Sequence, residues 1–292
     1  MTGDLPIVKL SGTKKAVPIG ASKTPVLIGE RINPTNRKKL IEMLKVGNFD
    51  MLREEAKAQV AAGADCLDIN VGVPDIDEKA TMIAAIQAVQ EVVDVPIIID
   101  SSDPSVIKAA LDVVKGRPGI NSTTGETKRM DSVLPLVKEH DVAIIGLVLD
   151  DTGIPATADK RIEIAKKIVS RAHTLGIEDD QILIDPLALA CGTSEIGGMA
   201  SLETIAYVRN EMNLNTTIGL SNISFGMPER RSLNAAFLLL CIGEGLTSFI
   251  GNPLDPDIRF AIRSTALLWG EDKFGMKYVK HCREQQQEQT TK

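Results

Sequence analysis

One pattern of apolar and polar positions recurs along the chain. A short run rich in β-branched residues ends in polar side chains, and an amphipathic stretch with helical spacing follows it. Several runs are continuously apolar rather than alternating, which is typical of strands buried on both faces, as in parallel sheets. The predicted strands are residues 26–33, 65–72, 96–102, 119–124, 142–150, 181–189, 216–224 and 248–253.

Helices are predicted between these strands. The stretch 49–63 has apolar positions at helical spacing and ends at Gly63, a favourable C-terminal cap. The others are residues 77–93, 103–115, 131–140, 158–175, 201–213, 231–245 and 256–269. Strands that alternate with helices imply βαβ units, and eight such units predict an α/β fold with a single (β/α)8 TIM barrel.

A doubly wound open sheet is the competing architecture. That fold usually has fewer strands and a glycine-rich turn after its first strand, and no such turn follows residues 26–33. The chain of 292 residues also suits one barrel of about 250 residues. We therefore predict three segments: an N-terminal extension at 1–25 that forms a hairpin at the barrel bottom, the barrel at 26–282, and a frayed polar tail at 283–292.

Composition and charge exclude several classes of function. The net charge of −6 and the 3% of aromatic residues disfavour a nucleic-acid partner, because they provide neither a broad positive field nor stacking platforms. No apolar run approaches the roughly 20 residues of a membrane helix, and no signal peptide is expected. Four scattered cysteines favour a reducing cytoplasm. Three scattered histidines predict no metal site.

Polar residues lie where the predicted strands end, which is the working face of a barrel. These residues are Asp100, Ser101 and Ser102, then Asn121 and Ser122, then Asp185, and finally Ser221, Asn222 and Ser224. Helix capping explains some of them. It explains Asp185 poorly, because this carboxylate interrupts an apolar run in which its desolvation is costly. We therefore predict a binding site at this face.

The chemistry of this set indicates its ligand class. It contains carboxylates, carboxamides and hydroxyls, without histidine and without a nucleophilic triad. Such groups both donate and accept hydrogen bonds, so they suit a flat heterocycle with amino and oxo edges. Glu30, Arg31 and Asn33 end the first strand, and we interpret them as a structural network of ion pairs and hydrogen bonds, with contact to the partner protein as the alternative.

Five motifs carry a resemblance to a known family. DINVG, IDSS, GINST, IDPL and GLSNIS, in this order between about Ile28 and Asp255, resemble the pterin-binding barrel of methyltetrahydrofolate-dependent corrinoid methyltransferases. The same barrel occurs in dihydropteroate synthase and in the folate module of cobalamin-dependent methionine synthase. The resemblance covers nearly the whole chain.

The resemblance implies a role for each matching residue. Asp100, Asn121 and Asp185 match the residues that hydrogen-bond the pterin ring, and Asn222 matches the catalytic asparagine that reaches N5. Arg230 matches an arginine close to the substrate. Phe225 replaces a polar residue that the family pattern leads us to expect in the same loop. No side chain is evident as a general acid, so we expect proton transfer through water or the network around Asn222.

The implied activity is transfer of a methyl group between a corrinoid cobalt and N5 of tetrahydrofolate. No histidine lies in the Asp-x-His-x-x-Gly signature of cobalamin domains, so the corrinoid is expected on a separate protein. The isolated barrel and the unusual loop favour transfer from methylcorrinoid to tetrahydrofolate, as in demethylation of methoxyaromatics or glycine betaine. A homodimer is expected from the resemblance.

Two alternatives remain open from the sequence. A dihydropteroate synthase-like enzyme would share the pterin pocket, although that family has a lysine on strand seven where this chain has Asn222. A non-catalytic pterin-binding barrel is the other alternative.

Overall fold

Eight parallel strands form a barrel, in which successive strands along the chain are neighbours. The computed structural model describes residues 4–290, and for residues 284–290 it describes the backbone alone. The strands are β1 (Val8–Ser11), β2 (Ala16–Ile19), β3 (Val26–Ile32), β4 (Cys66–Ile69), β5 (Ile97–Asp100), β6 (Gly119–Thr124), β7 (Ala143–Leu147), β8 (Ile182–Asp185), β9 (Asn215–Thr216) and β10 (Ser248–Gly251). The barrel consists of β3 to β10. The predicted (β/α)8 barrel is confirmed.

The barrel closes between its last two strands and its first. β10 pairs with β3 in parallel from Ser248 to Gly251. On its other side, Ile250 donates its backbone N–H to Ile218 at 2.9 Å, and Gly219 forms a parallel bridge with Ile250. The residues that follow β9 therefore complete the ring.

Helices cover the outside of the barrel. They are α1 (Lys38–Lys45), α2 (Asp50–Ala61), α3 (Glu78–Gln90), α4 (Pro104–Leu111), α5 (Thr127–His140), α6 (Ala158–Thr174), α7 (Met199–Asn210), α8 (Arg230–Gly243), α9 (Pro256–Leu268) and α10 (Met276–Thr290). Asp77, Asp103 and Asp255 start α3, α4 and α9, because each carboxylate accepts a backbone N–H of the first turn. None of the helices in residues 4–290 is both long enough and apolar enough to cross a membrane.

A hairpin closes the N-terminal end of the barrel. β1 and β2 pair in antiparallel register, with Val8 opposite Ile19. Val8, Leu10 and Ile19 are fully buried in the same apolar cluster as the barrel residues Ile98 and Ala143. Because these side chains fill the barrel interior at this end, the interior is open to a ligand at the carboxyl ends of the strands.

The predicted strand 216–224 is wrong in its second half. β9 ends at Thr216, and Leu220–Ser224 form a 3₁₀ helix. Leu220 and Ile223 are both buried, and their spacing of three residues matches one turn of a 3₁₀ helix. The sequence prediction took these two apolar residues as part of a buried strand, because a short apolar run is compatible with both structures.

Two other differences concern helices. The sequence analysis did not predict α1, which has only two buried apolar residues, Leu40 and Leu44, over its length. The tail predicted to be frayed has a helical backbone as far as Thr290, in keeping with its glutamines, glutamates and arginine, which are good helix formers. Residues 1–3 and 291–292, which belong to the two predicted terminal segments, lie outside the described part of the chain.

Candidate active site

A cavity of about 570 Å³ opens at the carboxyl ends of the strands. Its polar lining comes from β3, β4, β5, β6, β8 and the segment after β9, and it includes Glu30, Asp68, Asp100, Asn121, Asp185, Ser221 and Asn222. Four of the five residues predicted to form the site, Asp100, Asn121, Asp185 and Asn222, thus line one cavity. Arg230 does not line it.

Three of these residues belong to strands, and backbone pairing fixes their positions in the barrel. Asp100 is the last residue of β5 and lies opposite Asn121 of β6. Asp185 is the last residue of β8 and lies opposite Leu147 at the end of β7. Because these positions are set by backbone hydrogen bonds, the side chains are fixed relative to one another before any ligand binds.

Asp185 is a buried carboxyl group, with only 4% of its surface exposed. It accepts the backbone N–H of Leu187 at 2.7 Å. Burial raises the pKa of Asp185 to about 7, although the backbone N–H groups of Leu187 and Gly219 and the charge of Arg161 oppose this shift. Asp185 can therefore gain or lose a proton near neutral pH, and hydrogen-bond donors on a ligand would favour its charged form.

Arg161 of α6 holds the segment that follows Asp185. It is 2% exposed, and its guanidinium donates to the backbone oxygens of Pro186 at 2.9 Å and Leu187 at 2.8 Å. The same side chain donates to the oxygen of Pro155 at 2.8 Å. One planar, multivalent donor thus joins two loops at the mouth of the barrel.

A pair of acids and a pair of amides form a network on the opposite wall. The Asn121 amide donates to Asp68 at 3.1 Å, and the Asn70 amide donates to Asp100 at 3.0 Å. Burial raises the pKa of Asp68 well above its usual range, and the charge of Asp100 raises it further. Burial also raises the pKa of Asp100, against the donor Asn70. The surroundings therefore favour the protonated form of both acids, and most strongly that of Asp68.

The sequence analysis did not single out Asp68 or Asn70. Both belong to the DINVG motif, and Asp68 interrupts the buried strand CLDI in the way that Asp185 interrupts ILID. That interruption is the signal that could have identified Asp68. Asn70 follows β4 and contributes through its hydrogen bond to Asp100.

Asn222 lies in the 3₁₀ helix Leu220–Ser224 and is exposed at the cavity. Within residues 4–283, no group hydrogen-bonds its side-chain amide. Arg230 holds this helix in place, because its guanidinium donates to the Ser221 backbone oxygen at 2.9 Å and to the Ser224 hydroxyl at 3.1 Å. The Asn222 amide is thus available to a ligand, while its backbone is held by Arg230.

Arg230 lines a neighbouring cavity of about 270 Å³. Glu30 and Ser221 line both cavities, so they form the wall between them. The resemblance placed Arg230 close to the substrate. The structure places its guanidinium against the 3₁₀ helix that carries Asn222, and its contact with the substrate stays a prediction.

The residues that end β3, namely Glu30, Arg31 and Asn33, all line the cavity at the strand ends but have different partners. Arg31 forms an ion pair with Glu55 at 2.7 Å, as the interpretation of a structural network implied. Asn33 accepts the backbone N–H of Thr35 at 2.9 Å. Glu30 lines the cavity and accepts the Ser221 hydroxyl at 3.0 Å. Burial raises the pKa of Glu30, although Ser221, Arg230 and Arg31 all oppose the shift.

A second large cavity, of about 490 Å³, lies near the N-terminal hairpin. It is lined by residues of β2, α9 and the end of α2, and it shares no lining residue with the cavity at the strand ends. No group of three or more His, Cys, Asp or Glu side chains that could hold a metal ion occurs within the described residues. The acids and amides therefore single out the cavity at the strand ends as the candidate active site.

Comparison with known proteins gives the family. The model of the pterin-binding enzyme family matches residues 29–252, which include every residue of the candidate site. This chain belongs to the pterin-binding enzyme family. The match begins within β3 and ends just after β10, so it spans nearly all of the strand barrel.

Two relatives of the chain are named as a methyltransferase and a methionine synthase. The chain is 34% identical to a methylcorrinoid:tetrahydrofolate methyltransferase of Eubacterium limosum, over 89% of this chain and 96% of that protein. It is 32% identical to a methionine synthase of Mycobacterium tuberculosis, over 82% of this chain but only 21% of that longer protein.

A solved structure shows the shared fold. The dihydropteroate synthase of Xanthomonas albilineans in complex with 7,8-dihydropteroate superposes with a TM-score of 0.63, over 90% of this chain and 98% of that one. The two sequences are 19% identical, so the likeness concerns the fold alone.

Proposed function

We propose that this protein is a methyltransferase that moves a methyl group from the cobalt of a methylated corrinoid protein to N5 of tetrahydrofolate. The observation that carries the proposal is the joint placement of Asp100, Asn121, Asp185 and Asn222 around one cavity at the mouth of a pterin-family barrel. The similarity to the Eubacterium limosum enzyme over nearly the full length of both proteins supports the direction of transfer.

The pterin ring would bind between the strand ends. Its amino-pyrimidinone edge carries adjacent N–H donors, which suit the Asp185 carboxylate as acceptor. Asn121 can both donate and accept, and the Asn121–Asp68 hydrogen bond orients its amide. Asp100, oriented by Asn70, would accept from a further N–H of the ring. These groups bind and orient the ring without taking part in bond breaking.

Asn222 would act at the reacting nitrogen. During transfer the lone pair of N5 forms the new N–CH₃ bond while the Co–C bond breaks, and its electron pair remains on cobalt, so Co(III) becomes Co(I). Charge develops on N5, and a carboxamide with no protein partner can rotate to accept or donate a hydrogen bond there. Because that contact is strongest at the transition state, Asn222 would contribute to rate more than to affinity.

The corrinoid would arrive on a separate protein that docks over the barrel mouth. The Eubacterium limosum relative, matched over 96% of its length, is named for a methylcorrinoid donor, and no Asp-x-His-x-x-Gly signature occurs in the printed sequence. Phe225, directly after the 3₁₀ helix of Asn222, is 66% exposed. An exposed aromatic side chain at the rim of the cavity suits contact with a partner.

The decisive experiment mixes the purified protein with tetrahydrofolate and methylcobalamin and follows the absorption spectrum of cob(I)alamin without oxygen. Appearance of cob(I)alamin together with methyltetrahydrofolate supports the proposal. The dihydropteroate synthase-like alternative, favoured only by the shared fold, predicts turnover of p-aminobenzoate with a pterin pyrophosphate instead. Binding of reduced folates without turnover in either mixture would support the non-catalytic alternative.

We further propose that the protein is a cytoplasmic homodimer. Four unpaired cysteine thiols support a reducing compartment. Apolar side chains on α9 and near the start of α10, namely Phe260, Leu268, Phe274 and Met276, are more than half exposed, which supports a protein–protein contact. Light scattering of the purified protein measures the oligomeric state directly.

A further inference from the structure

Methylation of N5 creates a proton that the active site must remove. The reacting nitrogen of tetrahydrofolate carries a hydrogen, and attack on the methyl group leaves it with four bonds and a positive charge. The neutral product forms only when the N5–H bond breaks and its electron pair returns to nitrogen. The proton must pass to water or to a base, and a base held near N5 would take it directly and return it in the reverse reaction.

The order of strands places one acid on the reacting side of the cavity. Around the barrel, β9 is followed by β10 and then β3. Asp185 and Asn121 belong to β8 and β6, Asn222 follows β9, and Glu30 belongs to β3. If Asn121 and Asp185 bind the pyrimidine edge, N5 points towards the β9–β10–β3 side. Glu30 lies on this side and lines the same cavity as Asn222.

Glu30 is linked directly to the segment that carries Asn222. Its carboxylate accepts the hydroxyl of Ser221, the residue before Asn222, at 3.0 Å. This hydrogen bond fixes the acid relative to the 3₁₀ helix, which Arg230 holds from the other side. The position of Glu30 is thus coupled to that of the amide that would contact N5.

The other acids of the cavity have hydrogen bonds that suit binding instead. Asp68 and Asp100 accept the amides of Asn121 and Asn70, and Asp185 accepts the N–H of Leu187. Among the side chains of residues 4–283, the Glu30 carboxylate accepts a hydrogen bond only from the hydroxyl of Ser221. It also borders the neighbouring cavity of about 270 Å³, which would let it exchange protons on the side away from folate.

We propose that Glu30 takes up the proton of N5 as the methyl group is transferred to tetrahydrofolate, and returns it in the reverse reaction. In the forward step the N5–H bond breaks, its electron pair remains on nitrogen, and an O–H bond forms on the Glu30 carboxylate. Ser221 is then a positioning residue for this carboxylate. This inference rests on the proposed methyl transfer and adds the group that completes its proton balance.

The surroundings of Glu30 fit a group that exchanges protons. Arg230 from α8 and Arg31 on β3 favour its charged form, whereas Asp255 at the start of α9 disfavours it. Asp68 on the adjacent β4 also feels the charge of Glu30. The net result is that burial outweighs the two arginines and raises the pKa of Glu30, which makes it a stronger base than an exposed glutamate.

The test compares Glu30→Gln with the wild type in single-turnover transfer from methylcobalamin at saturating tetrahydrofolate. Glutamine still accepts the Ser221 hydroxyl but cannot take a proton, so we expect the rate to fall about a hundredfold, with folate affinity within about threefold of wild type. The wild-type rate should fall as the pH is lowered and Glu30 becomes protonated, and this limb of the profile should vanish in Glu30→Gln. Saturating folate keeps the titration of Asp185 out of the measurement.

Two controls separate a chemical role from a structural one. Glu42→Gln makes the same chemical change at an exposed position of α1 and should leave rate and profile unchanged. Glu30→Asp should recover part of the rate and the acid limb. An infrared difference spectrum after methyl transfer should show a protonated carboxyl band that is absent in Glu30→Gln.

The outcomes distinguish this inference from the proposed function. A wild-type profile and rate in Glu30→Gln, or equal losses of rate and folate affinity, would overturn the role of Glu30 while leaving methyl transfer intact. Absence of cob(I)alamin with the wild-type protein and every corrinoid donor would refute methyl transfer itself, and the inference about Glu30 with it.

Discussion

The ionisation of Asp185 should make folate binding strongly dependent on pH. Burial holds the pKa of this carboxyl at about 7 in the ligand-free protein, so protonated and ionised forms coexist near neutrality. The amino-pyrimidinone edge of a pterin presents N–H donors, which bind the ionised form. Folate binding is thus expected to expel a proton from Asp185, and its affinity should follow the ionised fraction.

The magnitude follows from that fraction. Between about pH 8 and about pH 6 the ionised share of Asp185 falls from about nine-tenths to about one-tenth, so the dissociation constant should rise about tenfold. Asp185→Asn presents an amide N–H to the donors of the ring. We expect it to weaken binding by about 3 kcal/mol, or about a hundredfold, and to abolish the tenfold pH dependence.

Fluorescence or calorimetric titration of tetrahydrofolate across this pH range is the assay. Asp151→Asn, the same change at an exposed position, should behave like the wild type. A flat pH profile in the wild-type protein, or an unchanged profile in Asp185→Asn, would refute the assignment of Asp185 as the acceptor for the pterin edge.

The same group predicts how stability depends on pH. The folded-state pKa of Asp185, about 7, lies above the unfolded value of 3.8. Its contribution is therefore fully present below about pH 4 and is lost as the pH rises through about 7, by about 4 kcal/mol in all. The difference in unfolding free energy between the wild type and Asp185→Asn, measured in urea at low and high pH, should change accordingly. A difference independent of pH would contradict the raised pKa.

Three further substitutions test other parts of the site. Asn222→Ala should reduce turnover far more than folate affinity, and equal losses in kcat and in binding would reduce Asn222 to a binding residue. Arg161→Lys should lower the unfolding free energy in urea by about 3 kcal/mol, because lysine cannot satisfy three backbone oxygens from one planar group, and an unchanged midpoint would contradict this. Asp68→Asn should change the unfolding free energy by less than about 1 kcal/mol, because an amide resembles the neutral carboxyl that burial favours. Asp68→Leu should lower the unfolding free energy by about 3 kcal/mol, because it removes the acceptor of the Asn121 amide. Equal effects of the two variants would show that Asp68 is ionised.

The barrel and the position of its site were predictable from local sequence. Apolar runs interrupted by polar residues mark strands that end at a functional face, and Asp185 in ILIDPL is the clearest case. Asn121 and Asp100 are paired residues on adjacent strands. Their common location at the carboxyl ends of the strands was predictable because TIM-barrel active sites lie at that end. For these residues, the neighbouring sequence determines both the strand and the place where it stops.

The role suggested for Glu30 could not be predicted in this way. Adjacent acidic and basic residues predict an ion pair, and Arg31 indeed pairs with Glu55 of α2. The pairing of Arg31 leaves the carboxylate of Glu30, which lines the same cavity, to accept the hydroxyl of Ser221 after β9. Which face is the interior depends on closure of the sheet through β10, more than 200 residues later in the chain.

The structure separates the groups that would bind folate from the group that would act on it. The proposed binding residues Asp100, Asn121 and Asp185 belong to strands β5, β6 and β8. Backbone hydrogen bonds between adjacent strands fix the register of all three strands. Asn222 instead projects from a 3₁₀ helix whose position depends on the side chain of Arg230. Binding geometry is thus set by the barrel itself, and reaction geometry by one segment attached to it. Under the proposed function, Arg230 would therefore affect turnover without lining the candidate cavity, because it holds the segment that carries the Asn222 amide.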